Sequence, residues 1–242
     1  FDPFYPREQK KEFIKWLLTQ PNFTLVEADV RDKERMEELF SKRNFDFIYH
    51  MAGRGGIPHS KKEPFFYLDD IAKGTLVILE CAAKFGVKMI VNASTSSVYA
   101  QTDGSPSSED SDTDHPSSVY TAAKKAAELL CHTYHVLYGI GAVNVRFFSV
   151  YGPRCRQDMI IYKFSKKILA GEPILDYQPD PKRDFTYVSD IVDALVLTLD
   201  LPQKTYEVLN LGFGKPRAVT DSIKVLEKVL GKKAVMGERV PT

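Results

Sequence analysis

Lys88-Met89-Ile90-Val91-Asn92-Ala93 is a nearly continuous apolar run that closes on the hydroxyl-rich Ser94-Thr95-Ser96-Ser97, and Ala142-Val143-Asn144-Val145-Arg146-Phe147-Phe148 is a second such run. Between them, Ser118 to Tyr138 has a helical apolar period that ends near Gly139. Apolar runs without alternation read as strands covered on both faces, and a helix joining two of them reads as the crossover of a parallel sheet. The pattern repeats outward. Phe45 to Met51 reads as a buried strand, Ala52 to Ser60 as a Gly-rich loop, and Pro64 to Phe85 as a helix with Pro in its first turn and Gly86 at its end. Before these come a helical stripe over Arg7 to Leu18, a short strand Phe23-Thr24-Leu25-Val26, and a helix Asp32 to Phe40 with Met36, Leu39 and Phe40 on one face. After the second run come a helix Ile191 to Leu199, a strand Tyr206 to Leu211 and a helix Val219 to Leu230. The predicted class is α/β, with a doubly wound parallel sheet.

The composition excludes several alternatives. Among 242 residues, 33 Lys+Arg oppose 32 Asp+Glu, so the formal charge of +1 gives no electrostatic reason to expect nucleic acid. No apolar run approaches the ~20 residues of a membrane span. Cys81, Cys131 and Cys155 are far apart and form no metal-ligand pattern, which predicts free thiols, a reducing cytoplasmic location and no metal. His132 and His135 lie three apart on a helix without carboxylates or Cys nearby, and read as a packed or solvated pair. The opening Phe1-Asp2-Pro3 carries no signal-peptide pattern, and its missing Met leaves an upstream segment, a membrane anchor included, open.

Ligands on such sheets bind at the carboxyl ends of the strands, so the loops to weigh follow Met51, Ala93, Phe148 and Leu211. Tyr120 and Lys124 are four apart on one helix and share a face. A Lys cation beside a phenol lowers the Tyr pKa, and a phenolate near neutral pH serves as a general base for an alcohol. The same spacing recurs at Tyr162 and Lys166, so spacing alone does not choose between them. Context does: the Ser/Thr segment after Ala93 supplies hydroxyls for the oxygen that Tyr120 would deprotonate, and Tyr162 has no such companion.

Several ordered blocks resemble one family. Thr95, Tyr120 and Lys124 resemble the Ser/Thr-Tyr-Lys triad of the extended short-chain dehydrogenase/reductases, in the nucleotide-sugar epimerase/dehydratase branch. Ala93-Ser94-Thr95-Ser96-Ser97-Val98-Tyr99, Val119 to Glu128, Arg146-Phe147-Phe148-Ser149-Val150-Tyr151-Gly152-Pro153, Arg183-Asp184-Phe185-Thr186-Tyr187-Val188-Ser189-Asp190 and Asn210-Leu211-Gly212 are similar to that family's blocks in order. The nearest likeness within the branch is to UDP-glucuronate 4-epimerases, through Phe1-Asp2-Pro3-Phe4-Tyr5 and Arg156-Gln157-Asp158-Met159. The resemblance implies a Rossmann-like sheet, NAD as cofactor, a UDP-sugar substrate and a homodimer built on the helices Pro64–Phe85 and Ser118–Tyr138. It implies that Tyr120 is the base, Lys124 holds the nicotinamide ribose and Thr95 bonds the sugar 4-oxygen. Asp29 and Val30 would lie near the adenine. Met51, Ala52 and Gly53 would line the pyrophosphate and ribose, and Ala93 and Ser94 would complete the cofactor wall. Ser149, Arg156 and Arg183 would meet the substrate, Arg156 at the sugar or its carboxylate and Arg183 at the diphosphate.

Departures from the family pattern set further expectations. No Gly-x-x-Gly-x-x-Gly turn is present, so the sequence reads as starting after the second strand of the family's sheet. A sheet lacking its first two strands, with weak NAD affinity, is expected; the Phe23–Val26 strand would either close onto Phe45–Met51 or detach. Residues 1–152 and 187–213 are expected to form the truncated cofactor domain, and 153–186 and 214–242 a partial substrate domain. Pro58 stands where these epimerases often have Arg, Ile71 where the family usually has Asn, and Gly53-Arg54 where Ala-Gln or Ala-Ala is usual. Ser96-Ser97 after Thr95 argue against a dehydratase. A UDP-glucose or N-acetylglucosamine 4-epimerase, a UDP-glucuronate decarboxylase and a non-catalytic binding protein remain open.

Overall fold

The computed structural model describes residues 5–99 and 105–241. In chain order the helices are α1 Arg7–Ile14, α2 Lys33–Ser41, α3 Ile57–Ser60, α4 Pro64–Tyr67, α5 Gly74–Phe85, α6 Val119–Tyr138, α7 Ile160–Ala170, α8 Val188–Leu197 and α9 Val219–Leu230. The strands are β1 Phe47–His50, β2 Met89–Thr95, β3 Gly141–Phe147, β4 Ser149–Tyr151, β5 Pro173–Gln178, β6 Lys182–Arg183, β7 Phe185–Tyr187, β8 Tyr206–Leu211, β9 Arg217–Ala218 and β10 Val235–Pro241. Contacts divide the chain into two units. One holds residues 28–148 and 190–212; the other holds 1–27, 149–189 and 213–242.

The first unit is built on a parallel sheet of order β1-β2-β3-β8. Both faces are covered, which is why β2 and β3 read as largely apolar runs. Ile90 and Ala142 face α2, α5 and α6, where Met36, Phe40, Leu79, Cys81 and Cys131 are buried. Met89, Val91, Val143 and Val145 face Leu195 of α8 and Leu201. Asn92 and Asn144 are register partners on neighbouring strands, and their side chains bond at 2.8 Å, a contact that a one-residue slip would break. Among the described residues no helix is long and apolar enough to cross a membrane.

Phe23–Val26 forms no strand, contrary to the sequence expectation. Its alternation is short, Leu25 is exposed, and among the described residues no neighbouring strand receives its backbone groups, without which a short extended segment does not persist as a strand. Residues 1–27, expected with the sheet, group with the second unit. There α1 is tied by the Arg154 guanidinium to the Phe13 carbonyl (2.9 Å), by Tyr5 to Asp158 (2.7 Å) and by a Gln9–Gln157 bond. The second unit packs α7 and α9 on the parallel pair β5–β10, with Phe164, Ile168, Ile174, Val219 and Ile223 at its centre.

The expected helix Pro64–Phe85 is interrupted by a π-helical turn over Leu68–Lys73. Tyr67, Ile71, Thr75 and Leu79 are all nearly fully buried and strictly four apart. At ~100° per residue such a spacing drifts around an α-helix, and a wider turn takes up the drift. The Thr75 hydroxyl donates to the Ile71 carbonyl (2.6 Å) and lies 3.1 Å from His50 Nε2. A hydroxyl has one proton, so His50 donates to Thr75 through Nε2–H.

The helix α6 is fixed at both ends. Ser118 and Thr121 form a reciprocal capping box, and Gly139 closes the helix in the left-handed conformation. Its middle is fixed by charge. Glu128 and Arg146 are each about 3% exposed and form a two-bond pair (Nε to Oε1 2.9 Å, Nη2 to Oε2 2.8 Å). Ser94 donates to Glu128 Oε1 (2.5 Å). Arg146 Nη1 donates to the Tyr99 hydroxyl (3.0 Å) and the Glu109 carbonyl (3.1 Å), and Tyr99 donates to Asn210 (2.6 Å). One network thus joins β2, α6, β3 and β8.

Two measurements follow from this packing. Glu128→Ala leaves a buried guanidinium uncompensated, and a loss of about 3–5 kcal/mol in urea unfolding is expected; a loss under ~1 kcal/mol contradicts the role given to the pair. Burial, and secondarily the charge of Lys124, lowers the His50 pKa to about 4, below the usual 6.5. The unfolded chain therefore binds more protons between these values, so the contribution is complete above pH ~6.5 and is lost as pH falls towards 4. His50→Gln keeps a donor for Thr75 and should flatten the stability profile over that interval; an unchanged slope assigns the loss elsewhere.

Candidate active site

The carboxyl end of β2 and the first half of α6 meet through two side chains. Lys124 Nζ, buried, donates to the Ala93 carbonyl (2.6 Å), and Glu128 takes the Ser94 hydroxyl. Tyr120, Lys124 and Glu128 follow at four-residue intervals, so the face that holds β2 at two points carries Tyr120 on its N-terminal turn. The half-buried Tyr120 ring packs edge-on against Tyr67 (centroids 6.1 Å apart), whose hydroxyl donates to the Gly55 carbonyl (3.0 Å).

Thr95 is the last residue of β2, two positions beyond where the sequence pattern ends the strand. Its Oγ1 accepts the Ser97 N–H (3.2 Å), and among the described residues nothing accepts its hydroxyl proton. That proton is free for an oxygen outside the chain. The Ser94 hydroxyl is committed to Glu128 and the Ala93 carbonyl to Lys124, and both residues are buried.

The loop after β1 runs Met51-Ala52-Gly53, with Met51 exposed. Gly53 has φ +133°, and a Cβ built there would sit 3.4 Å from both Lys124 Nζ and Ile71 Cγ1. The missing side chain leaves a shallow cradle beside the lysine, as close approach of a ligand to backbone requires. Next to it, the Arg54 N–H donates to Asp70 (2.6 Å), and the Arg54 guanidinium lies 4.0 Å over the Phe66 ring. Asp29 accepts three bonds from Arg31, at 2.9, 2.9 and 2.6 Å. Arg31 holds the Asp29 pKa down to about 2, well below the usual carboxylate range. Val30 lies against Gly74 and the main core.

The other expected ligand-binding residues belong to the second unit. The Ser149 N–H donates to the Asp184 carbonyl (2.9 Å), and β4 pairs with β7 in parallel. Gly152 follows with φ +140°, where a Cβ would come within 2.7 Å of Val188 Cγ1, so only Gly fits that turn. Arg156 is half-exposed, 3.4 Å from Asp158 and 3.3 Å from the Met159 sulfur. Arg183 is exposed on β6. The second Tyr-x-x-x-Lys pair, Tyr162 and Lys166, stands off the face of α7 that buries Phe164 and Ile168. His132 packs edge-on against Tyr206, and His135 Nδ1 lies 2.9 Å from the Ile140 carbonyl.

Sequence reasoning gave no role to Glu128, Arg146, Tyr99, Asn210 or Asp184, although all five stand in the quoted blocks. The available signal was a charge inside an apolar stretch: Arg146 within a strand, and Glu128 one helical repeat beyond Lys124. A buried charge demands a partner, and these two supply each other.

Residues 5–212 match the family model for the NAD dependent epimerase/dehydratase family. A UDP-glucuronate 4-epimerase of Thermodesulfobacterium geofontis is 41% identical over 215 residues, 88% of this chain and 66% of that protein. UDP-glucuronate 4-epimerase 1 of Arabidopsis thaliana is 36% identical, over 97% of this chain and 57% of that protein. The chain thus spans less than two thirds of the length of these relatives. A Bacillus cereus UDP-glucuronic acid 4-epimerase, solved with UDP-glucuronic acid and NAD, superposes with a TM-score of 0.90 at 30% identity, covering 98% of this chain and 74% of that one. The chain belongs to the NAD dependent epimerase/dehydratase family.

Proposed function

We propose that the protein catalyses NAD-dependent 4-epimerisation of a UDP-sugar, with UDP-glucuronate and UDP-galacturonate as the favoured pair. The observation that carries this reading is the Lys124–Ala93 bond. It sets the Tyr120 face of α6 against the strand end whose Thr95 hydroxyl proton is uncommitted. The substrate is supported by the names of the similar proteins and by the Arg156 segment.

The residues present fit the cofactor. Gly53 leaves a cradle at Lys124 Nζ that a Cβ would fill. Asp29, Val30, Met51, Ala52, Gly53, Ala93, Ser94, Tyr120 and Lys124 are the residues that would hold NAD. When bound, NAD supplies the hydride acceptor and donor for C4 of the sugar. Lys124 places a buried cation on the Tyr120 face and favours the phenolate. Tyr120 takes the proton of the 4-hydroxyl as C4 is oxidised, and returns it when the turned-over sugar is reduced on its other face. Thr95 donates its free proton to the 4-oxygen and keeps it aligned with Tyr120. Arg183 binds the diphosphate, Arg156 the sugar carboxylate, and Ser149 contacts the substrate.

We also place the protein in the cytoplasm as a homodimer built on α4, α5 and α6. Leu129 and Val136 on α6 are 56% and 66% exposed, which leaves apolar surface for a second copy.

Tyr120→Phe removes the base while leaving the packing against Tyr67. In the full-length protein it should lower turnover of UDP-glucuronate at least ~100-fold, followed by chromatography of UDP-galacturonate, with UDP binding unchanged; retained turnover rejects Tyr120 as the base. Arg156→Ala should raise KM for UDP-glucuronate roughly 10-fold through loss of a charge-assisted bond and leave any UDP-glucose turnover unaffected. Equal effects on both sugars, or turnover of UDP-glucose alone, move the substrate assignment to a UDP-glucose epimerase.

A further inference from the structure

Strands β6 and β9 form a two-residue antiparallel ribbon in the second unit, and in it Arg183 and Arg217 are direct register partners. Directly opposed residues present their side chains on the same face, and like charges so placed cost stability. Both arginines are exposed. Arg183 Nη1 donates to the Lys182 carbonyl (2.9 Å), and among the described residues no carboxylate pairs with either guanidinium.

Two carboxylates are close in sequence, and both are committed elsewhere. Asp180 accepts the Thr220 hydroxyl (2.6 Å) and backbone N–H (3.3 Å). Asp184, adjacent to Arg183, accepts the Thr186 hydroxyl (2.9 Å) and the Phe213 N–H (2.8 Å) on one oxygen, and the Gly214 N–H (2.6 Å) on the other. The fold thus engages both of these carboxylates with other groups, and among the described residues it leaves neither of the two register-paired arginines in an ion pair. An acceptor-rich, doubly charged group that takes two guanidinium forks would relieve this repulsion.

We propose that Arg217 is the second arm of a diphosphate clamp, paired across the ribbon with Arg183 and binding the nucleoside diphosphate group of the substrate. The proposal rests on the UDP-sugar reading and adds to it a residue and a geometry. Resemblance assigned only Arg183 to this task, because Arg217 lies in no recognised block; strand register brings the two together.

The test is calorimetric titration of the full-length protein with UDP, uridine and inorganic pyrophosphate. The variants are Arg217→Ala, Arg217→Lys, Arg183→Ala and Lys228→Ala, the last removing one positive charge from elsewhere on the same unit. Arg217→Ala should weaken UDP binding roughly 10- to 100-fold, the size of a lost charge-assisted bond. Uridine binding should be unchanged, and Arg217→Lys should recover only part of the affinity. Lys228→Ala should bind UDP as the parent does. In turnover, Arg217→Ala should raise KM and leave kcat unaltered. Its unfolding midpoint should hold or rise, since one of two opposed like charges is gone; a fall in midpoint together with kcat overturns the clamp in favour of a structural role. UDP affinity unaffected by Arg217→Ala also overturns it and leaves the nucleotide-sugar reading standing. Arg217-dependent binding of pyrophosphate as tight as that of UDP upholds the clamp and overturns the nucleotide as its ligand. A parent that binds none of the three probes overturns both.

Discussion

A single buried ion pair, Glu128 with Arg146, governs the placement of the candidate catalytic residues. Two charges removed from water contribute little net stability, and they are tolerated only when every lone pair and proton is answered. Here the answers come from four residues on three segments: Ser94 at the end of β2, Tyr99 and Glu109 in the following loop, and Asn210 on β8 through Tyr99. Rotating α6 about its axis, or sliding it along the sheet, would break several of these bonds at once. Lys124 and Tyr120 lie one and two helical repeats from Glu128, so the condition that keeps the ion pair satisfied also fixes the two residues proposed to carry the chemistry.

A second constraint acts from the other side of Lys124. The π turn keeps Ile71 and Thr75 buried, Thr75 ties the Ile71 carbonyl to His50, and His50 ends β1 just before Met51-Ala52-Gly53. The loop that would run along a cofactor therefore leaves the sheet from a buried, neutral anchor. At Gly53 the absent side chain leaves open the space beside the lysine that a Cβ would fill. Neither constraint uses the substrate; both are satisfied before anything binds, which is the preorganisation an electrostatic site requires.

The parts of this arrangement that the sequence made legible are those with a strong period and clear ends. Strands β2 and β3 are largely apolar runs buried on both faces, and α6 lies between a Ser cap and a left-handed Gly. Phe23–Val26 had the alternation of a strand but no neighbour to pair with, and pairing is not a property of the segment itself. The π turn was hidden because four-residue apolar spacing is compatible with an ordinary amphipathic helix. Strand β10 was missed for the opposite reason: nearly all of it is exposed, so it carries no burial pattern, and it exists through its pairing with β5. Tyr120 and Lys124 could be singled out from spacing and context, and Thr95 through the family resemblance, whereas the network that holds them could not, since its members are far apart in the chain.

Arg146 and Arg183 show why that last gap matters. Each opens a similar-looking block, Arg-Phe-Phe and Arg-Asp-Phe, and residue type alone gives them equal standing as ligand-binding groups. What separates them is the disposition of the nearest carboxylate. For Arg146 that is Glu128, distant in sequence yet in two-point contact, so the charge is answered inside the protein and its work is architectural. For Arg183 it is Asp184, adjacent in sequence yet turned away to hold the Phe213 and Gly214 amides, so the charge is left facing solvent. A protein gains no stability by leaving a cation beside a carboxylate that ignores it, still less by setting a second Arg directly opposite. The proposed diphosphate clamp accounts for this arrangement by letting the anion arrive with the ligand, and the direction of one Asp side chain is what sets Arg183 apart from the structural Arg146.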